Sequence, residues 1–139
     1  MRFTIPVIAI VLSACAPGSE PKSTYNLGVD AYLSKDYAKA YSHWSEAAVH
    51  GNVDALNNLG YLAHNGYGVR ENQEEAIRLW RTASFAGHSE SQWHLGKAHE
   101  DGSGIERDLA KAYAWYACAI ASATYKLNGE SAERGGPAF

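Results

Sequence analysis

Cysteine is scarce in this chain of 139 residues: only Cys15 and Cys118 occur. No paired-cysteine spacing can form, which removes the usual thiolate zinc sites. Histidine does not replace it. The six histidines include no His-Glu-x-x-His, and His94 and His99 stand five apart, so they turn away from each other on a helix. His43, His50 and His88 read as surface residues, and no metal is expected. Runs of positive charge are absent as well. With 12 lysines and arginines against 15 aspartates and glutamates the net charge is −3, which argues against a nucleic-acid partner. Serine, histidine and aspartate are scattered without a strand-turn-helix elbow. Cys118 sits between alanines with no neighbouring cation to activate it. The sequence therefore predicts no catalytic residues, no enzyme activity and no cofactor.

Long hydrophobic runs are also missing. Phe3 to Leu12 is an apolar run of ten residues behind a positive Arg2, too short to span a hydrocarbon core of ~30 Å. It reads as the h-region of a secretory signal. Leu12-Ser13-Ala14-Cys15 follows and resembles a bacterial lipobox, which implies a signal peptide over 1–14, lipidation at Cys15 and membrane attachment through that lipid. Acyl chains bury ~0.8 kcal/mol per CH₂, so several would hold the protein stably. Ala16 after the cysteine resembles the pattern sorted to the outer membrane, with the domain facing the periplasm. Residues 15–22 then form the lipidated N-terminus and a polar tether reaching at most about 25 Å. With Cys15 lipidated, Cys118 has no disulfide partner.

What the chain does contain is self-similarity at a spacing of 36 residues. Leu59-Gly60 pairs with Leu95-Gly96, Gly66-Tyr67-Gly68-Val69 with Gly102-Ser103-Gly104-Ile105, and Ala76 with Ala112. Backwards, Trp80 pairs with Trp44, Ala83 with Ala47 and Gly87 with Gly51. A period of this length marks units that bury their apolar faces only by stacking on neighbours. Leu56, Leu59, Gly60 and Ala63 fall at helical spacing, as do Ala76, Ile77, Trp80 and Ala83, with a glycine-broken turn between. The prediction is an all-α, short α/α solenoid of about three helix-loop-helix units, 23–51, 52–87 and 88–123. Small Gly28, Gly60 and Gly96 should admit the bulk of Trp44, Trp80 and Tyr116. Gly28 to Ala40 is shorter than Gly60 to Ala76, so the first unit lacks the Gly-x-Gly loop. Asp108 is the expected N-cap of the last helix. Residues 124–139 hold Gly129, Gly135, Gly136 and Pro137, and are expected to form a cap or tail in which Tyr125 and Leu127 partly cover the last helix and 131–139 fray.

Leu-Gly, then Gly-x-Gly-Val/Ile, then Ala-x-x-x-Trp/Tyr-x-x-Ala-x-x-x-Gly resembles the Sel-one-like repeat family, a relative of tetratricopeptide repeats. Asn52 to Gly87 matches best and His88 to Ala123 well, although Ala63 and His99 replace the family's tyrosine and Ala123 its closing glycine. The resemblance implies a protein-protein interaction module, here a membrane-anchored adaptor in the periplasm. It also implies two alternatives. One is an immunity protein neutralising a toxin delivered to the periplasm, such as a phospholipase. The other is a cell-wall or β-lactam-binding enzyme, a role linked to family members with regularly spaced cysteines, which this chain lacks.

On the first helix of each unit, offsets −5, −2, +2 and +5 from the Leu-Gly leucine share one face. In tetratricopeptide-like arrays that face lines the concave surface. It carries Lys22, Tyr25, Val29 and Tyr32, then Asp54, Asn57, Tyr61 and His64, then Glu90, Trp93, Lys97 and Glu100, and all but Lys22, Asp54 and Glu90 are expected to bind the partner. Large amphipathic rings at positions the core does not need are typical of binding hot spots. The expected partner is an unidentified periplasmic or envelope protein.

Overall fold

The computed structural model describes residues 22–134. The expected signal segment, Cys15 and residues 16–21 of the tether lie outside the described residues, as do residues 135–139. Six helices follow one another: α1 (Thr24–Leu33), α2 (Tyr37–Val49), α3 (Val53–Asn65), α4 (Gln73–Phe85), α5 (Ser89–Asp101) and α6 (Leu109–Arg134). No strand occurs among the described residues. Each helix packs chiefly on its chain neighbours, as a solenoid requires. The predicted all-α architecture is therefore borne out. Among the described residues, no helix is long and apolar enough to cross a membrane.

Local sequence starts each helix. Ser23, Asp36, Asn52 and Asn72 each accept a hydrogen bond from the amide three residues on, and Asp108 accepts one from Lys111 at 3.0 Å as expected. Each such cap is worth ~1 kcal/mol. The fifth helix departs from the usual residue set. His88, expected at the surface, is half-buried, and its Nδ1 accepts from the Ser91 amide at 3.1 Å while its Nε2 lies 3.1 Å from Asp54. The Gly-x-Gly loops place Gly66, Gly68, Gly102 and Gly104 at positive φ, which side-chain-bearing residues rarely adopt. Gly68 lies against the backbone of Tyr37 and Ala38, so the loop of one unit seats on the second helix of the unit before it. In the shortened first unit Lys35 takes the left-handed position, at φ 62°.

Within each unit a glycine on the first helix faces a ring on the second. A methyl group on Gly60 would lie 2.5 Å from the Trp80 indole nitrogen, and one on Gly96 would lie 2.6 Å from Tyr116. The Trp44 indole donates to the Tyr25 carbonyl and that of Trp80 to the Asn57 carbonyl, both at 3.2 Å. The third unit keeps the packing with a different bond: the Tyr116 hydroxyl donates to Glu100 at 2.8 Å.

The ends of the array depart from the repeat, and one expectation there is corrected. Leu27 holds the position of Leu59 and Leu95 but is partly exposed, because no described unit precedes α1. The segment 124–139 does not begin a separate cap: α6 continues through Gly129 to Arg134. One glycine costs about 1 kcal/mol in a helix, a penalty the alanine-rich run before it outweighs. Tyr125 and Leu127 are largely exposed, so neither is packed as a cover over the last helix.

Candidate partner-binding face

The first helices of the three units stand side by side and enclose a groove of about 260 Å³. Val29 and Tyr32 of α1, Asn57, Asn58 and Tyr61 of α3 and Glu90 of α5 line it, over a floor supplied by Trp44. Of the predicted residues, Val29, Tyr32, Asn57 and Tyr61 are thus brought together. The rings form a connected set. Tyr32 lies 5.4 Å from Tyr37, 5.7 Å from Trp44 and 6.4 Å from Tyr61, while Tyr61 meets Tyr67 edge-on at 6.1 Å. Tyr37 and Tyr67 stack at 4.8 Å, closing the ring set from the loop side. Burial, and then the Tyr61 hydroxyl, push the Tyr32 hydroxyl above the usual phenol range, so it stays protonated and able to donate. Rings held by other rings lose little freedom on binding, which favours a recognition surface.

Tyr25, His64, Trp93, Lys97 and Glu100 lie elsewhere, and Asn57 has a second role. Tyr25 is half-buried between units, its hydroxyl accepting from Asn58 at 3.3 Å. Asn57, expected on the concave surface, is only 3% exposed. Its Oδ1 accepts from the Ser91 hydroxyl at 2.8 Å, so it chiefly joins the second unit to the third. The offset −2 position is therefore a junction position, and Trp93 is exposed there because no described unit follows the third. His64 packs its ring 5.4 Å from Trp80. Lys97 bridges Glu100 at 3.3 Å and Asp101 at 3.1 Å on the surface of α5. The hydrogen bond from Tyr116, and then Lys97, hold Glu100 below the usual carboxylate range. Burial and that same bond raise Tyr116 to about 12. These three form a structural link between α5 and α6 rather than part of the groove. Sequence reasoning missed Tyr37 and Tyr67. Tyr67 sits between the two loop glycines, and the only signal was that its counterpart in the next unit is Ser103.

His94, beside the groove, stacks on Trp80 at 4.4 Å and 11°. Burial lowers its pKa from 6.5, and Glu90 at 3.8 Å opposes the shift without cancelling it. A depressed imidazole pKa contributes stability that is fully present above pH 6.5 and is lost as pH falls through the folded value. The thermal midpoint should therefore fall on acidification below that point, and His94→Phe should flatten this dependence while keeping the stack. An unchanged pH profile in the variant would show that the acid sensitivity comes from elsewhere.

Among the described residues, no group of three or more His, Cys, Asp or Glu side chains could hold a metal. The family model of the Sel1 repeat matches residues 21–52, 53–88 and 89–123. A Sel1 repeat protein of Oxalobacter formigenes has a similar solved structure, with a TM-score of 0.66 and 31% identity, over 78% of this chain and 46% of that one. A protective antigen of uropathogenic Escherichia coli with an SLR fold aligns at TM-score 0.65 and 32% identity, over 70% of this chain and 22% of that one. An F-box protein of Arabidopsis thaliana is 25% identical over 104 residues, covering 72% of this chain. This chain spans only 31% of that relative's length.

Proposed function

From the chain's membership of the Sel1 repeat family, whose proteins are generally non-catalytic interaction modules, we propose that it is a lipid-anchored adaptor that binds an envelope protein in the periplasm. The observation that carries this reading is the preorganised groove: Tyr32 and Tyr61 stand over Trp44, with Glu90 at its rim. Apolar walls with one carboxylate suit an exposed apolar or aromatic side chain next to a basic residue. The Asn58 side chain adds hydrogen-bonding capacity at the same place. The lipobox-like Leu12-Ser13-Ala14-Cys15 supports attachment to the membrane, and Ala16 supports the outer one.

A photo-crosslinking side chain at Tyr61 in the full chain should capture a discrete envelope protein. The same group at exposed Leu33 should not. Adding Tyr32→Ala should weaken capture about tenfold or more, as loss of a hot-spot ring does. Equal capture from both positions, or capture indifferent to Tyr32→Ala, would refute the groove. Cys15→Ser should move the protein from the membrane to the soluble fraction, and continued membrane retention would remove the anchor.

A further inference from the structure

The far side of α6 is unlike the far sides of the earlier units. In the second unit Asn57 and Ser84 are 3% and 4% exposed because α5 covers them. Ser91 donates to Asn57, and Gln92 donates to the Ser84 carbonyl at 3.2 Å. The residues one period later are Trp93 and Ile120, 49% and 69% exposed. With Tyr116 and Ala123 they border an open groove of about 570 Å³ between α5 and α6. Each earlier unit receives the next helix at this place. Here it is uncovered among the described residues, and its lining has changed from hydrogen-bonding to apolar.

Apolar side chains extend the groove along α6. Leu109, Tyr113, Tyr116, Ile120, Ala123 and Leu127 follow at steps of four, three, four, three and four, the spacing of a coiled-coil seam. Leu109, Tyr113, Ile120 and Leu127 are exposed. Between Leu109 and Asn128 the charged residues are Lys111 and Lys126, both off the seam. By contrast α4, with a neighbour on that side, carries Glu74, Glu75, Arg78 and Arg81 on the rest of its surface. A contiguous uncharged face of this kind marks an interaction surface.

We infer that this seam is covered by α6 of a second copy, packed antiparallel about a two-fold axis near Cys118. An isologous contact must be complementary to itself, and this seam is. Reversed about position 118, Leu109 meets Leu127 of the second copy, Tyr113 meets Ala123 and Tyr116 meets Ile120. Large side chains thus oppose small ones at Tyr113, as interdigitation requires. Lys111 and Lys126 both lie outside this face, so the contact buries no charge. Head-to-tail stacking is disfavoured. In the register by which α3 and α5 dock, α1 would place Asp30 where they bury Leu62 and Ala98. Asp30 is exposed and paired with Lys22, and would have to leave water.

The test uses the full chain in its membrane, in a Cys118→Ser background carrying Leu109→Cys and Leu127→Cys together. Mild oxidation should give a covalent homodimer on a non-reducing gel, whereas Val49→Cys, an exposed site away from the seam, should give none. Adding Ile120→Glu should reduce the dimer about tenfold or more, with the helical circular-dichroism spectrum unchanged. No dimer, an equal dimer from Leu109→Cys alone, or resistance to Ile120→Glu overturns the antiparallel pairing. An adduct with a different polypeptide overturns it in favour of a foreign helix on the same seam. Capture at Tyr61 is a separate readout, so failure here leaves the groove reading standing.

Discussion

Trp80→Ala is expected to lower the unfolding free energy by ~4 kcal/mol, within the range for removing a large buried ring. Trp80 is buried where the second and third units join. Its indole fills the space left by Gly60, donates to the Asn57 carbonyl and stacks on His94 of α5. Truncation therefore loses transfer energy, opens a cavity between backbones that cannot close over it, and strips α5 of its main ring contact. A domain of this size has about 5–15 kcal/mol in total, so the third unit should separate from the second well before denaturant unfolds the wild type. Tyr116→Ala should cost less, because Tyr116 is half-buried at the open end of the array. Urea titration followed by circular dichroism measures both. A loss below about 1.5 kcal/mol for Trp80→Ala would mean that the units are held together by something other than this ring.

The repeat positions were legible because identical chemistry recurs in identical surroundings. Leu59 and Leu95 are buried, and so are Ala76 and Ala112. Where surroundings differ, periodicity misleads. Tyr25, Asn57 and Trp93 share one offset, yet the first two lie beneath a following helix and the third faces solvent. The spacing could place all three on one face but could not say that the face is a junction. Half the groove was readable for the same reason: Val29, Tyr32 and Tyr61 lie where a helical stripe must point. Tyr37 and Tyr67 were not, since their contact joins a loop to the helix of an earlier unit and leaves no period in the sequence. His88 escaped because an imidazole is an uncommon helix cap. The length of α6 escaped because Gly129 reads as a stop signal, although a single glycine costs too little to end a helix rich in alanine.

The close approach of ring to backbone makes a second large effect, and its sign can be derived. Gly60→Ala should by helix propensity alone gain about 1 kcal/mol. Opposing this, the new methyl would lie 2.5 Å from the Trp80 indole nitrogen and 2.7 Å from its Cδ1, closer than real side chains come. The ring cannot retreat without losing its bond to the Asn57 carbonyl, worth about 1 kcal/mol net, and overpacking of a filled core costs a further 1–3 kcal/mol or so. The balance is a destabilisation of about 2 kcal/mol. Gly129→Ala supplies the contrast, being equally helical with nothing within 4 Å of the added methyl. It should stabilise by up to about 1 kcal/mol. A double-mutant cycle isolates the cause: in a Trp80→Leu background the penalty at Gly60 should vanish and the propensity gain remain, giving a coupling of about 3 kcal/mol. If Gly60→Ala instead stabilises the protein as Gly129→Ala does, the ring and the helix backbone are not in the contact from which these units are built.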